Sequence, residues 1–357
     1  MTKRIVFTGG GTAGHVTPNM PLISALLEEH WEVFYIGSHN SVEEKLIKDL
    51  DVPFYSIQSG KLRRYFSLKN FLDPFKVVIG IIQALKLMLK LRPAVVFSKG
   101  GFVAFPVVFA AWLCRIPVIA HESDMTPGLA NRLSFPFATK VCLTFEATAK
   151  YFKSQDKIKI TGTPIRDILF QGTKQQGFDV LGFKDDKPCL LVIGGSLGAT
   201  SINHVVRLAL PKLLENYHVI HLCGPGKVDE AYANKPGYSQ IDYAKETLPH
   251  LFAVSDIVIS RSGANSVCEL LALKKPHILI PLPLSMSRGD QIHNARFFEK
   301  LGASVVLDEE KLNLESLIAA IDEVMNKHDA LVAKMTEINM QSATLPLLTL
   351  IKETAHV

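Results

Sequence analysis

Apolar residues in this chain fall into short uninterrupted blocks, separated by stretches where they recur at helical spacing. In the first half the blocks Ile5–Phe7, Trp31–Ile36, Ala94–Phe97 and Ile116–Ala120 predict strands. The stretches Asn19–His30, Val42–Leu50 and Phe105–Cys114 predict helices, the last with Pro106 in its first turn, where a missing N–H costs nothing. Strands apolar along their whole length, alternating with helices, predict a parallel sheet covered on both faces.

The second half repeats the pattern. Strands are predicted at Cys189–Ile193, Tyr217–Leu222, Ser239–Ile241, Ile257–Ser260, His277–Ile280 and Ala303–Val306. Helices are predicted at Ser201–Leu214, Ala264–Leu273, Asp290–Leu301 and Leu314–Asn326. The reading is therefore α/β, with two Rossmann-like lobes facing a cleft. Boundaries are placed at 1–162 and 163–340, just ahead of the polar stretch Gln171–Asp186. Lys334–Lys352 has helical tendency with Pro346 inside, and 341–357 forms a separate segment that could return to the first lobe.

Each half opens on a glycine-rich turn between an apolar block and a helical stretch: Gly9-Gly10-Gly11-Thr12-Ala13-Gly14-His15 and Gly194-Gly195-Ser196-Leu197-Gly198-Ala199. Strand, tight turn and helix N-terminus together suit a phosphate. The first turn matches GxGxxG in spacing. The second strand, however, ends in Gly37-Ser38-His39-Asn40, without the acid that a nicotinamide ribose requires.

Phe71–Leu91 stands apart. Its polar residues Lys76, Gln83, Lys86 and Lys90 form a narrow stripe on an otherwise apolar helix, and the basic and aromatic run Lys61-Leu62-Arg63-Arg64-Tyr65-Phe66 precedes it. Two readings stand: a helix lying shallowly in an anionic bilayer, and a core helix with a wet lysine edge.

Composition narrows the picture modestly. The chain has 357 residues, 48% of them hydrophobic and 20% charged, with net charge +5. No run reaches the roughly 20 apolar residues of a membrane span. Lys3-Arg4 lead straight into a strand, without the apolar length of a signal peptide, so cytoplasm is the expectation. The five cysteines include no CxxC pair, and neither a zinc site nor a DxD metal motif is seen. Residues 1–160 carry 20 Lys/Arg against 12 Asp/Glu, while the remainder carries 19 against 22. The first half should meet something anionic. No nucleic-acid signature accompanies the charge, which leaves a membrane surface or a pyrophosphate.

Candidate chemistry collects at strand ends. His15, beside a helix N-terminus, would be held neutral by the dipole and could take a proton from a hydroxyl; a purely structural hydrogen bond is the alternative. Lys99, in Ser98-Lys99-Gly100-Gly101, would neutralise phosphate or lie solvated. His121-Glu122-Ser123-Asp124 ends a strand, and Asn131 follows one turn into the next helix. In the second half Gly195 and Ser196 would face a diphosphate, with Arg166 adding charge from the hinge. Ser260-Arg261-Ser262-Gly263-Ala264 makes a further anion-suited turn. Glu269 would take ribose hydroxyls or sit on a helix surface. Asp290 and Gln291 suit sugar hydroxyls, which need donors and acceptors.

The ordered set GGGTAGH (9–15), SKGGF (98–102), HESD (121–124), GLANR (128–132), TGTPIR (161–166), GGSLGA (194–199), SRSGANSVCE (260–269) and SRGDQIHNA (287–295) spans essentially the whole chain. It resembles the MurG family of bacterial peptidoglycan glycosyltransferases, within the GT-B superfamily. The resemblance implies transfer of N-acetylglucosamine from UDP-N-acetylglucosamine to the C4 hydroxyl of the muramyl sugar of lipid I. The product is lipid II, with inversion and without a metal or cofactor.

It implies an acceptor and membrane domain at 1–162 and a donor domain at 163–340. His15 would be the base, with Glu122 orienting it or the acceptor. The donor site would hold Thr12, Gly14, Arg166, Gly195, Ser196, Tyr243, Ala244, Glu269, Asp290 and Gln291. The acceptor site would hold Thr12, Ala13, His15, Lys99 and Asn131. Leu62, Arg63, Arg64, Tyr65, Phe66, Lys86 and Lys90 would meet an anionic membrane, placing the protein peripherally on its cytoplasmic face. Other wall-synthesis enzymes are implied as partners. The chain departs from relatives at Ala13, Ser123-Asp124 and Asp290. A different GT-B enzyme, such as a glycolipid glycosyltransferase or a UDP-sugar epimerase, is the competing reading.

Overall fold

The computed structural model describes residues 3–60, 69–184 and 186–356, and only the backbone of residues 69–72. The expected membrane contacts Leu62, Arg63, Arg64, Tyr65 and Phe66 lie outside the described residues. The chain divides into two compact units, Met1–Ile165 with Ser342–Val357, and Arg166–Gln341.

The first unit carries seven parallel strands: β1 (Arg4–Thr8), β2 (Glu32–Ser38), β3 (Phe54–Ile57), β4 (Val95–Ser98), β5 (Val118–Glu122), β6 (Lys140–Leu143) and β7 (Ile158–Ile160). Their order is β3-β2-β1-β4-β5-β6-β7. Alternation sends Ile5 and Phe7 of β1 to one face of the sheet and Val6 to the other. The first face packs on α1 (Asn19–Glu28) and on α13 (Thr344–Thr354), the other on α3 (Lys69–Leu91) and α4 (Ala104–Leu113). Lys352 at the C-terminal end reaches Glu29 at 2.6 Å, so residues from both termini share one core.

The second unit has six parallel strands: β8 (Cys189–Ile193), β9 (His218–Leu222), β10 (Tyr238–Ile241), β11 (Ile257–Ser260), β12 (His277–Leu279) and β13 (Val305–Val306). Their order is β10-β9-β8-β11-β12-β13. Both units thus have the Rossmann-like arrangement, with the strand order reversing beside the first strand of each. In each unit that reversal leaves a crevice at the carboxyl ends of its strands, where that unit's own glycine turn lies.

β3, β6, β7 and the helices α6 (Lys174–Leu181) and α8 (Leu248–Val254) were not foreseen, because the segments are short. Lys334–Lys352 is not one helix: α12 (His328–Ile338) ends on Asn339 at φ 48°, and Pro346 falls in the first turn of α13. The helix Phe71–Leu91 forms as α3, but its exposed side is not a lysine edge. Phe75, Val78, Ile79, Ile82 and Leu89 are exposed there, with Lys86 and Lys90 beside them toward the C-terminal end. Gly80, Ala84 and Met88 face inward. Among the described residues no helix is long and apolar enough to cross a membrane.

Candidate active site

In the first unit the turns after β1, β4 and β5 meet. Gly10 donates its N–H to the Gly100 carbonyl at 3.2 Å, and Lys99 donates its N–H to Thr8 at 2.9 Å. The approach requires glycine: at Gly101 (φ 87°) a Cβ would stand 2.1 Å from the Gly10 oxygen. Thr12 and His15 lie together on this ledge. His15 Nδ1 is 3.0 Å from the Gly10 carbonyl and 3.2 Å from Thr12 Oγ1. A carbonyl only accepts, so Nδ1 carries the hydrogen and Nε2 carries the lone pair.

The helix-dipole account of His15 is corrected. His15 closes a short 3-10 turn, Ala13–His15, and α1 begins only at Asn19. The Gly10 carbonyl, rather than a helix terminus, sets its tautomer.

Lys99 is neither solvated nor open to a phosphate, being 1% exposed. Its ammonium donates to His121 Nδ1 at 2.8 Å and to Thr163 Oγ1 at 3.2 Å. His121 donates from Nε2 to the Gly162 carbonyl at 2.8 Å. Burial, reinforced by the Lys99 charge, holds the His121 pKa well below its usual value. Glu122 is also buried. It accepts from Asp124 N at 3.0 Å, Gly128 N at 3.0 Å and Asn131 Nδ2 at 2.9 Å. Burial raises its pKa despite these bonds. The carboxylate therefore shapes its own loop and the start of α5 (Leu129–Ser134). Asn131 Oδ1, buried against Gly100, has no hydrogen-bond partner.

A carboxylate missed in the sequence completes this ledge. Glu43, on α2 (Val42–Lys48), is fully buried and accepts from Gly11 N at 3.2 Å and Ser38 N at 3.0 Å. The first glycine turn thus gives one backbone donor, Gly11 N, to a protein carboxylate. The available signal was that Glu43 precedes the core residue Ile47 by one helical turn, on the buried face.

The second unit's turn is built the opposite way. Gly195 and Ser196 are exposed at its tip, ahead of α7 (Thr200–Asn216). Gly198 (φ 67°) lies so close to the next turn that a Cβ would stand 1.8 Å from the Cys223 oxygen. Lys227 donates to the Gly198 carbonyl at 3.1 Å, adding positive charge that the sequence reading overlooked.

Arg166 and Glu269, the latter on α9 (Ala264–Ala272), form a bidentate pair. Nε reaches Oε1 at 2.8 Å and Nη2 reaches Oε2 at 2.9 Å. The pair uses Nε and one Nη2 hydrogen of Arg166, and the guanidinium keeps its other hydrogens beyond Glu269. Burial works against its charge, but Glu269 prevails and raises its pKa, with the nearby Tyr243 adding to the effect. Each Glu269 oxygen keeps a further lone pair for a hydroxyl. Arg261 does not serve as an anion ligand: it bridges Ile280 O and Glu309 from a buried position. Gln291 accepts Leu282 N at 3.1 Å through its side chain, and its backbone carbonyl accepts from Ser262 Oγ at 2.9 Å. Asp290 lies 3.6 Å from Arg288. Tyr243 is exposed and Ala244 buried. Among the described residues no group of three or more His, Cys, Asp or Glu could hold a metal ion.

Two Rossmann-like units, one with an imidazole ledge and the other with a cation-backed glycine turn and a carboxylate–guanidinium pair, are the units of a GT-B glycosyltransferase. Residues 5–143 match the glycosyltransferase family 28 N-terminal domain, and residues 189–346 match the corresponding C-terminal domain. The chain belongs to glycosyltransferase family 28. It is 59% identical over 357 residues to the UDP-N-acetylglucosamine–N-acetylmuramyl-(pentapeptide) pyrophosphoryl-undecaprenol N-acetylglucosamine transferase of Legionella pneumophila (strain Paris), covering 100% of this chain and 98% of that one. The protein of the same name from Lachnoclostridium phytofermentans is 54% identical over 351 residues, covering 98% and 99%. The crystal structure of Acinetobacter baumannii MurG matches with TM-score 0.76 and 26% identity, covering 98% of this chain and 99% of that one.

Proposed function

We propose that this chain transfers N-acetylglucosamine from UDP-N-acetylglucosamine to the C4 hydroxyl of the muramyl sugar of lipid I, giving lipid II with inversion. The carrying observation is full-length identity of 59% to a transferase named for those substrates. Inversion needs one displacement. The C4 oxygen forms a bond to the anomeric carbon, the bond from that carbon to the diphosphate breaks, and UDP leaves.

His15 Nε2 takes the hydroxyl proton in this reading, supported by the tautomer that the Gly10 carbonyl selects. The departing diphosphate is met at Gly195 and Ser196, where the start of α7 and Lys227 favour negative charge. Glu269, aligned by Arg166, takes the ribose hydroxyls. Asp290 and Gln291 hold the sugar, and Tyr243 and Ala244 border the uracil. Thr12 and Ala13 line the acceptor side. Asn131 shapes that side from beneath, through the loop Glu122 holds.

Peripheral membrane association through the first unit belongs to the same proposal. Its support is the exposed apolar row Phe75, Val78, Ile79, Ile82 and Leu89 with Lys86 and Lys90 nearby, a composition suited to an anionic bilayer surface.

The test is an assay of UDP release from UDP-N-acetylglucosamine, with and without a lipid I analogue. Release that depends on the acceptor, with a disaccharide product, is expected. Release without acceptor, accompanied by epimerised sugar, would replace this reading by a UDP-sugar epimerase.

A further inference from the structure

The Gly10 carbonyl that receives His15 Nδ1–H and the Gly11 N–H that binds Glu43 belong to one peptide group. Glu43 Oε2 lies 3.2 Å from the N–H, and His15 Nδ1 lies 3.0 Å from the carbonyl oxygen. The peptide is planar and its dipole runs between those two atoms. A carboxylate at the N–H end draws the hydrogen-bonding proton and pushes electron density toward the carbonyl oxygen, so successive hydrogen bonds strengthen one another. The imidazole therefore sees part of the Glu43 charge through the peptide.

The placement is enforced. Oε1 of Glu43 is tied to Ser38 N at 3.0 Å, and a Cβ at Gly10 would stand 2.4 Å from that oxygen. No larger residue fits between the carboxylate and the turn.

We propose that Glu43 is a positioning residue for His15, acting through the Gly10–Gly11 peptide. It fixes the Nδ1–H tautomer and makes Nε2 more basic toward the acceptor hydroxyl. The proposal rests on the reading of His15 as the base.

Four other described neighbours of this turn carry no negative charge. Tyr35, on β2, donates its hydroxyl to the Gly9 carbonyl at 2.8 Å, and burial keeps it protonated. Asn19, on α1, is neutral and donates to the His15 carbonyl at 3.4 Å. Lys99, behind Gly9, is cationic and turned to His121 and Thr163. Thr12 contributes a neutral hydroxyl.

The experiment compares the full-length protein with its Glu43→Gln variant in two readouts. Imidazole nitrogen and carbon resonances of His15 are followed by NMR against pH, and the pH profile of kcat is measured with saturating lipid I analogue. In the variant the His15 titration midpoint should fall by about half a pH unit or more, as loss of a nearby negative charge requires. The limb of the kcat profile due to the base should move with it. kcat should drop about tenfold, less than the ~10²- to 10⁴-fold a general base is worth, with KM for UDP-N-acetylglucosamine unchanged. An unmoved His15 midpoint would overturn the coupling. A midpoint that moves while the kcat profile stays would overturn the base assignment beneath it. The unmodified protein supplies a measurement independent of the variant's folding: neutral His15 must carry its hydrogen on Nδ1, and an Nε2–H tautomer would overturn the proposal.

Discussion

Arg166 holds Glu269 in a two-pronged hydrogen bond, at 2.8 and 2.9 Å, across 103 residues of sequence. The two residues act as one unit, the guanidinium fixing the carboxylate while each oxygen keeps a further lone pair. Truncating either should weaken UDP binding by ~1.5–3 kcal/mol, the range for a charged hydrogen bond. The double variant Arg166→Ala/Glu269→Ala should lose less than the two single losses combined. Calorimetric titration of UDP against the four proteins measures this, and strict additivity would show that they bind independently.

His15→Ala should lower kcat by ~10²- to 10⁴-fold and leave UDP affinity unchanged. Steady-state rates with the lipid I analogue, together with UDP calorimetry, separate the two effects. Near-normal turnover would remove His15 from the chemistry.

The exposed row of α3 should carry the membrane contact. Phe75 is 68% exposed and Ile82 is 50% exposed, so Phe75→Ser/Ile82→Ser should leave the fold intact. Withdrawing two large apolar side chains forfeits ~1.5 kcal/mol or more each if they bury fully in the interface. Binding to anionic vesicles in a sedimentation assay should fall at least about tenfold, while turnover on a short-chain soluble acceptor persists. Unchanged sedimentation would return this face to ordinary solvent exposure.

Stability should fall with acid because three buried histidines stay neutral in the folded chain. His121 is held well below its usual pKa, His221 is lowered to about 3 and His277 to about 4, chiefly by burial. An unfolded histidine protonates below ~6.5, so below that pH the unfolded state binds more protons and stability declines. The loss continues until the folded pKa is reached. By pH 5.5 each histidine costs about 1.4 kcal/mol. Denaturant melts at pH 7.5 and 5.5 check this, and His277→Gln should flatten the dependence. A variant with an unaltered slope would exclude His277 as a contributor.

Gly198→Ala should be more damaging than Gly182→Ala, although both residues have φ 67°. The added Cβ meets open space at Gly182 and the Cys223 oxygen at Gly198. Gly182→Ala should cost ~1 kcal/mol of backbone strain, and Gly198→Ala should cost more and lose UDP binding. Thermal melts and UDP titration distinguish the two, and equal effects would mean that the close approach is easily relieved.

Two parallel, helix-covered sheets were legible in the residue pattern alone. Strand apolarity and the alternation of strand with helix are local properties, readable from neighbouring residues. The glycine turns were legible for the same reason: a left-handed conformation and close backbone approach leave a mark in residue type. The ordered motifs carried the reaction class. Pattern alone left the function of each turn open. The two turns look alike, yet Glu43 arrives at the first from 32 residues beyond Gly11, while Lys227 arrives at the second from 29 residues beyond Gly198. Those side chains decide that the first turn satisfies a carboxylate and holds an imidazole, while the second favours an anion. Likewise Lys99 turned inward to His121, and the apolar row of α3 outward. Such choices rest on which distant groups the packed sheets bring within hydrogen-bond reach, and only the tertiary structure sets that distance.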